Sequence, residues 1–301
     1  MKNEVGLVAG KGRRREQATA SALAIVLLAL GMGMAVSSLM GPLGFGFMQY
    51  RTSETTVNQL VGSDAAALFV VFPATIAAAV LVLRGNPGGP LLGSGIGVYA
   101  IYTYAQVVIG QEYLRLPGNV EYWFPLLLAV FILAEAAVVL SLAAGPRDLP
   151  QPSQGVRKTA AVSLLVVAAF LVVGQHLRPL LAAWSNPSSL TEYSSSPTPF
   201  WMVKLMDLGI IVPAAVASGI GLLLGAQWAL KIMYPLLTGY AFLAASVASM
   251  AVVMYVKADP DASLPLMAAF LVFALLFAGL ALMIYRPFFP SQAGASARFG
   301  L

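Results

Sequence analysis

Eight long apolar runs, separated by short polar or glycine- and proline-rich segments, dominate the chain. A membrane-spanning helix needs about 20 mostly apolar residues, because the hydrocarbon core of a bilayer is about 30 Å thick. The runs are too continuously apolar for the alternating strands of a membrane barrel. The pattern therefore predicts an all-α bundle of eight transmembrane helices. The predicted spans are residues 20–40, 65–83, 91–111, 123–143, 160–184, 203–224, 234–256 and 264–285.

The polar segments divide the chain into two halves of four spans each. A linker with three prolines, 145–159, separates residues 18–144 from residues 160–285. A basic arm, 1–17, precedes the first half, and a polar tail, 286–301, follows the second. We expect the arm to lie on anionic lipid headgroups, which attract clusters of basic residues.

The two halves resemble each other, which predicts a parallel internal repeat of four plus four helices. In each half a long connection rich in serine and threonine follows the first span, at 41–64 and at 185–202. A shift of 140 residues places Pro73 on Pro213. Internal repeats of this kind are common among membrane proteins.

Composition and charge agree with a membrane protein. The chain is 59% hydrophobic and only 10% charged, whereas soluble domains are about 25% charged. This argues against an ordinary soluble enzyme, a disordered protein and a nucleic-acid binder. Twelve of the seventeen lysines and arginines fall on the side of both termini, which predicts that both termini are cytoplasmic.

Two residue counts restrict the chemistry that the chain can perform. It contains no cysteine and one histidine. Disulfides, thiolate metal sites, iron–sulfur clusters and multi-histidine metal sites are therefore excluded. The sequence accordingly predicts neither a bound cofactor nor a metal site.

Two short motifs carry a resemblance to a known group of proteins. The turn Arg84-Gly85-Asn86-Pro87 leads into a tyrosine-rich helix, and the run Met206-Asp207-Leu208-Gly209 with Val212-Pro213 opens the sixth span. These motifs resemble bacterial multi-pass membrane proteins to which no activity is assigned. The resemblance implies a location in the bacterial cytoplasmic (inner) membrane and supplies no catalytic residues.

Glu135 is the most informative single residue, because it lies near the middle of the fourth predicted span. A charge at that depth costs about 2.5–3.5 kcal/mol on insertion scales, so such residues usually face a bundle interior or a water-filled cavity. We expect its neighbours on the third helix to be Tyr99, Tyr102 and Gln106, which recur at helical spacing. This group is either a path for an ion or polar substrate, or a structural hydrogen bond between helices.

A second polar group lies near the ends of the spans, on the side of the membrane opposite the two chain termini. If its side chains converge, they form an outer pocket for a small charged ligand or an acid–base site. The alternative is that they anchor helix ends at the interface. The first, seventh and eighth spans, almost free of ionisable groups, are interpreted as lipid-facing or packing helices. The candidate pocket residues are Asp64, Glu112, His176, Arg178, Lys204 and Asp207.

Three functions remain open at this stage. The leading hypothesis is a small transporter or channel-like protein with a proton- or cation-linked polar site at mid-membrane. On this hypothesis the protein is not an enzyme. The first alternative is a lipid-linked membrane enzyme that uses the outer polar group. The second is a non-catalytic membrane subunit or assembly factor whose loops, 41–64 and 185–202, bind a membrane partner. The lipid bilayer is the common partner in all three, and a small molecule or ion is a partner in the first.

Overall fold

A computed structural model describes residues 2–146 and 148–289 of the chain, with side chains from Arg14 onward. This part contains no strand, and eight of its helices are long and apolar enough to cross a membrane. The prediction of an all-α bundle with eight spans is therefore confirmed: the chain is a multi-pass integral membrane protein. The helices are α1 (Lys2–Met40), α2 (Glu54–Leu83), α3 (Gly88–Ile109), α4 (Val120–Ala144), α5 (Gln154–Ser185), α6 (Pro197–Leu223), α7 (Gln227–Val256) and α8 (Leu264–Phe288).

Several helices extend beyond the apolar runs that predicted them. Helix α2 begins at Glu54 rather than at residue 65, because the Ser53 hydroxyl caps its first turn by accepting from the Thr56 backbone N–H. Serine at this position satisfies an N–H group that has no partner inside the helix. The connection predicted at 41–64 is correspondingly shorter. Helix α6 likewise begins at Pro197, inside the segment predicted as a loop.

The ends of the chain are only partly described. Helix α1 already begins at Lys2, so the segment predicted as a separate arm continues the first span as a helix. In the predicted tail, residues 286–288 form a single 3-10 turn, and residues 290–301 lie outside the described part. The linker ends where α5 begins, at Gln154.

Two apolar cores correspond to the two halves of the chain. The first joins α1 to α4 and includes the fully buried Leu27 and Val130. The second joins α5 to α8 and includes Leu164 and Phe277. Helix α7 connects them, because it packs closely on both α2 and α3 of the first half. Of the two interpretations given for the seventh span, lipid-facing or packing, the structure therefore favours packing for α7.

Close approach of α7 to α2 requires a glycine. A methyl group added at Gly62 would lie 2.3 Å from the Cα atom of Met250, so no other residue fits there without moving a helix. The corresponding pair of the other half, α6 and α3, packs much less closely. This difference leaves a space between α3 and α6 that has no equivalent between α7 and α2.

Three wide, π-helical turns interrupt the spans, and each ends two residues before a proline. The segments are Ala67–Val71 in α2, Phe170–Leu177 in α5 and Asp207–Ile211 in α6. Proline lacks an N–H group, and its ring clashes with the carbonyl four residues earlier. In all three helices that carbonyl belongs to the π segment, which gives the wide turn a direct cause. The prolines are Pro73, Pro179 and Pro213.

The π segments of α2 and α6 lie 140 residues apart, the shift that aligns the two halves. The glycines that end these helices show the same relationship: Gly85 has φ +67° and Gly225 has φ +71°. Both adopt the left-handed conformation that glycine favours after a helix. These two coincidences of backbone geometry support the internal repeat.

Candidate functional site

Connections at the bundle end opposite the termini form a hydrogen-bonded layer that we call the cap, comprising residues 41–53, 110–119, 186–196 and 257–263. Arg51 holds the cap segment 41–53 in place through two hydrogen bonds to the Glu121 carboxylate, of 2.8 and 2.5 Å. The hydrogen bond to Glu121 raises the pKa of Arg51. Gln111 accepts from the Arg51 backbone N–H at 2.7 Å. The cap is therefore held by side chains as well as by backbone.

The connection before α6 is hydrogen-bonded to the cap segments 41–53 and 110–119. The Ser196 hydroxyl accepts from the backbone N–H of Ser53 at 3.0 Å. Glu112, which is buried, accepts from the backbone N–H of Thr198 at 2.7 Å. The two long connections, which the sequence offered as surfaces for a membrane partner, thus contact each other.

A cavity of about 620 Å³ lies beneath the cap in the space between α3 and α6, bordered also by α2, α5, α7 and α8. Its volume falls within the range of about 300–1,000 Å³ that is common for small-molecule sites. Its lining includes a polar group of side chains from α2, α3, α5 and α6 and an apolar group from α7 and α8. The polar side carries Gln59, Tyr102, Gln106, Gln175, His176, Lys204 and Asp207. The apolar side carries Met250, Met254, Leu266, Phe270, Phe273 and Phe277.

A chain of three side chains from three helices forms the centre of the polar side. The Nε2 atom of His176 lies 2.9 Å from Oδ2 of Asp207. The hydroxyl of Tyr102 donates to the other oxygen, Oδ1, of the same carboxylate. The pair of His176 and Asp207 is a salt bridge when the imidazole carries two protons, and a hydrogen bond when it carries one.

The π segments bring these residues together. His176 lies inside the segment Phe170–Leu177, and Asp207 is the first residue of the segment Asp207–Ile211. A π turn changes the direction of the side chains that precede it, and such turns are frequent at functional sites. Tyr240 of α7 donates to the carbonyl of Ile211 at 2.5 Å, which ties α7 to the end of the same segment.

Lys204 lies one turn before Asp207 on α6 and also lines the cavity. Its side chain is only 5% exposed, and its ammonium nitrogen is 3.2 Å from the centroid of the Phe200 ring. A cation above an aromatic ring is attracted by the negative face of the ring. Among the described residues it has no hydrogen-bond or ion-pair partner, so its N–H groups remain available to a ligand.

The structure divides the predicted outer pocket. It brings His176, Lys204 and Asp207 to one cavity, and adds Tyr102 and Gln106, which the sequence assigned to the mid-membrane path. The other three predicted members lie elsewhere. Glu112 belongs to the cap, Arg178 is exposed on the surface of α5, and Asp64 is buried between α1 and α2.

Asp64 has a structural environment of its own. Ser38 and Tyr50 donate to its two carboxylate oxygens, each at 3.1 Å. Burial raises the pKa of the Tyr50 phenol well above its ordinary value, so this donor keeps its proton. Asp64 and Lys204 occupy equivalent positions of the two halves, nine residues before Pro73 and Pro213. Only the second half presents that position to the cavity.

The mid-membrane arrangement expected around Glu135 does not form. Glu135 lies on the exposed face of α4, whereas Ala134 and Ala137 of the same helix face the core. Tyr99 is fully buried, and its ring packs on that of Phe242 at 6.0 Å. The two side chains therefore belong to different environments, and Glu135 does not line the cavity beneath the cap.

Sequence reasoning missed the apolar side of the cavity. Phe270, Phe273 and Phe277 recur at helical spacing on α8, a pattern that also describes an ordinary packing face. Phe170 of α5 contacts the first two rings, with centroids 5.7 and 5.1 Å away. The sequence does not indicate that these rings border a cavity, because the cavity depends on the separation of α6 from α3.

Comparisons with protein-family models, with curated proteins and with solved structures find no match to this chain. Among the described residues, no three acidic or histidine side chains approach one another as ligands of a metal ion would.

Proposed function

We propose that the protein is a small transporter whose proton-linked site is the His176–Asp207–Tyr102 group in the cavity beneath the cap. The observation that carries the proposal is the 2.9 Å contact between His176 and Asp207 on the wall of a cavity of ligand size. Histidine is the side-chain type whose charge changes between pH 5 and 8. Binding of a molecule in this cavity can thus be coupled to a proton.

The architecture around the cavity supports movement rather than simple binding. The cavity lies between two helix groups of a repeated fold, and transporters commonly bind substrates at the interface of such repeats. Its wall includes a π segment followed by Pro213, where one backbone hydrogen bond is missing. The cap covers one end of the cavity through contacts between the two halves, such as that of Glu112 with Thr198. Loss of these contacts would widen the opening of the cavity to that side of the membrane.

The orientation proposed for this site follows the charge distribution. Lysines and arginines are concentrated on the side of the termini, as they are on cytoplasmic segments. The cap then faces the outside of a bacterial cytoplasmic membrane, and the cavity receives its ligand from there. A proton gradient directed inward would supply the proton to His176.

Gradient-driven uptake of a mixture tests the proposal with no need to choose a substrate in advance. Membrane vesicles containing the protein would be given an extract of small cellular molecules under an inward proton gradient, and accumulated molecules would be identified by mass spectrometry. We expect at least one molecule to accumulate, and to be lost in Asp207→Asn and after collapse of the gradient. The matched control is Glu135→Gln, which removes an exposed carboxylate outside the cavity. Accumulation that is absent, or indifferent to the gradient, would refute the proposal.

A second function is favoured by one specific feature of the same cavity. A histidine held by a carboxylate is the arrangement of a general base, and the phenylalanine wall of α8 suits a lipid chain. The alternative is therefore an enzyme acting on a lipid-linked substrate. Incubation of the protein with a total lipid extract, in the absence of any gradient, would reveal a product that is missing in His176→Ala. Such turnover would favour the enzyme over the transporter.

A further inference from the structure

The ammonium group of Lys204 is the strongest unassigned feature of the cavity. An ammonium ion withdrawn from water is costly unless other groups compensate its charge. The Phe200 ring, at 3.2 Å, interacts with one side of the group, and the carboxylates of Glu192 and Asp207 add attraction from a longer distance. A lysine ammonium has three N–H donors and no acceptor. Lys204 therefore presents unused donors and a positive charge to the cavity.

The acidic groups that line the cavity are poorly placed to satisfy Lys204 directly. Asp207 already accepts hydrogen bonds from His176 and Tyr102. Glu192 and Asp261 are exposed at the cap side, and Asp261 accepts from Thr55. Among the described residues, none of these carboxylates lies within 4.0 Å of the Lys204 nitrogen. A negatively charged ligand is the natural complement of this group.

The part of the cavity that α8 lines is chemically different. Helix α8 contributes only apolar side chains, Leu266, Phe270, Phe273 and Phe277, spread over three turns. Helix α7 extends this surface with Met250 and Met254. Three turns of helix rise about 16 Å, long enough to lie beside a hydrocarbon chain. A purely polar ligand would leave this wall without a partner.

We propose that the cavity recognises an anionic amphiphile, a molecule with one acidic headgroup and one hydrocarbon chain. The headgroup binds Lys204 beside the amides of Gln106 and Gln175, and the chain lies along α8. This inference rests on the proposed function, since it names the substrate class of the same cavity. It concerns the chemistry of recognition and not the movement of the ligand.

Equilibrium binding to the full chain in nanodiscs of zwitterionic lipid tests the inference. Octyl phosphate is the probe, octyltrimethylammonium carries the same chain with the opposite charge, and inorganic phosphate lacks the chain. We expect octyl phosphate to bind at least tenfold more tightly than either of the others. Equal binding of the two octyl compounds would overturn the headgroup assignment. Equal binding of the two phosphates would overturn the assignment of the chain to α8.

Substitution of the lysine makes the test specific to this site. Lys204→Met keeps the length of the side chain and removes its charge, and Lys257→Met removes an exposed lysine of the cap. We expect the first to weaken octyl phosphate binding at least tenfold and the second to leave it unchanged. Unchanged binding in Lys204→Met would refute the inference.

A second measurement needs no substitution of Lys204, should that variant fold poorly. In a Gln59→Cys variant, whose new thiol lines the cavity away from the proposed headgroup contacts, octyl phosphate should slow labelling by a water-soluble maleimide, and octyltrimethylammonium should not. Equal rates with and without octyl phosphate would refute the inference. The result is separable from the proposed function: binding without gradient-driven uptake would refute transport alone, and uptake of a molecule of another class would refute this inference alone.

Discussion

The carboxylate of Glu112 accepts a hydrogen bond from the backbone N–H of Thr198, with 2.7 Å between Oε1 and nitrogen. Glu112 follows α3 in the first half, and Thr198 lies in the first turn of α6 in the second. The position suits a carboxylate, because the N-terminus of a helix carries free N–H groups and a partial positive charge. This contact connects the two halves directly above the cavity.

Removal of that carboxylate should destabilise the protein through the cap. In Glu112→Ala the Thr198 N–H loses its acceptor in a buried place, and hydrogen bonds to charged groups contribute about 1.5–3 kcal/mol. We expect a lower midpoint of thermal unfolding in detergent. Glu54→Ala is the control, since Glu54 also lies in the first turn of a helix but is exposed. Equal midpoints for the two variants would contradict the role given to Glu112.

Close packing of α2 on α7 gives a prediction about glycine. In Gly62→Ala the new methyl group would meet the backbone of Met250 at 2.3 Å, so the helices must separate. Overpacking of this kind costs about 1–3 kcal/mol. A methyl group at Gly279 of α8 has no neighbour within 4 Å, and Gly279→Ala should be as stable as the natural protein. Thermal unfolding of the two variants side by side measures the difference, and an unaffected Gly62→Ala would show that α2 and α7 do not pack this closely.

The fold was largely predictable because the bilayer fixes the length of an apolar run. Helix α8 begins at Leu264, as predicted, since both its cap by Ser263 and its apolar composition mark that residue. Helix α2 extends eleven residues further than its apolar run, because threonine, asparagine and glutamine in its first turns lower the hydropathy without breaking the helix. Hydropathy therefore counted the spans correctly and misjudged where polar residues continue them.

The site was only partly predictable, because depth along a helix says nothing about rotation around it. His176, Lys204 and Asp207 were grouped correctly by depth. Glu135 was placed at mid-membrane by the same reasoning, yet the span of α4 is apolar apart from Glu135 and Ser141, so its sequence does not indicate which face is buried. The wide turns before the prolines add a further rotation that periodicity alone cannot give. His176 and Asp207 both lie in such turns.

Thiol labelling distinguishes the observed cavity from the path that the sequence predicts around Glu135. The chain has no cysteine, so Gln106→Cys and Glu135→Cys each introduce a single thiol. We expect a membrane-impermeant maleimide to label the first from one side of the membrane, because the cavity extends to exposed residues of the cap such as Glu192. We expect it to label the second from neither side, because Glu135 lies outside the cavity on a face of α4 that would meet lipid. Intact cells and inverted vesicles provide the two sides, and Ser188→Cys in the exposed cap is the positive control. Labelling of Glu135→Cys at the rate of Gln106→Cys would restore a water path along α4.

The single histidine of the chain allows the role of the π segment in α6 to be tested directly. In Pro213→Ala the restored N–H group and the removal of the ring allow the segment Asp207–Ile211 to close as an ordinary α-helix. Asp207 would then rotate around the helix axis and lose its 2.9 Å contact with His176. Nitrogen NMR of protein labelled only in histidine, and purified without a histidine tag, reports that hydrogen bond through the imidazole signals. We expect the signals to move in Pro213→Ala and to stay in place in Pro73→Ala, the equivalent change in α2, where the π segment carries no ionisable residue. If both variants keep the signals of the natural protein, the wide turn in α6 does not position Asp207.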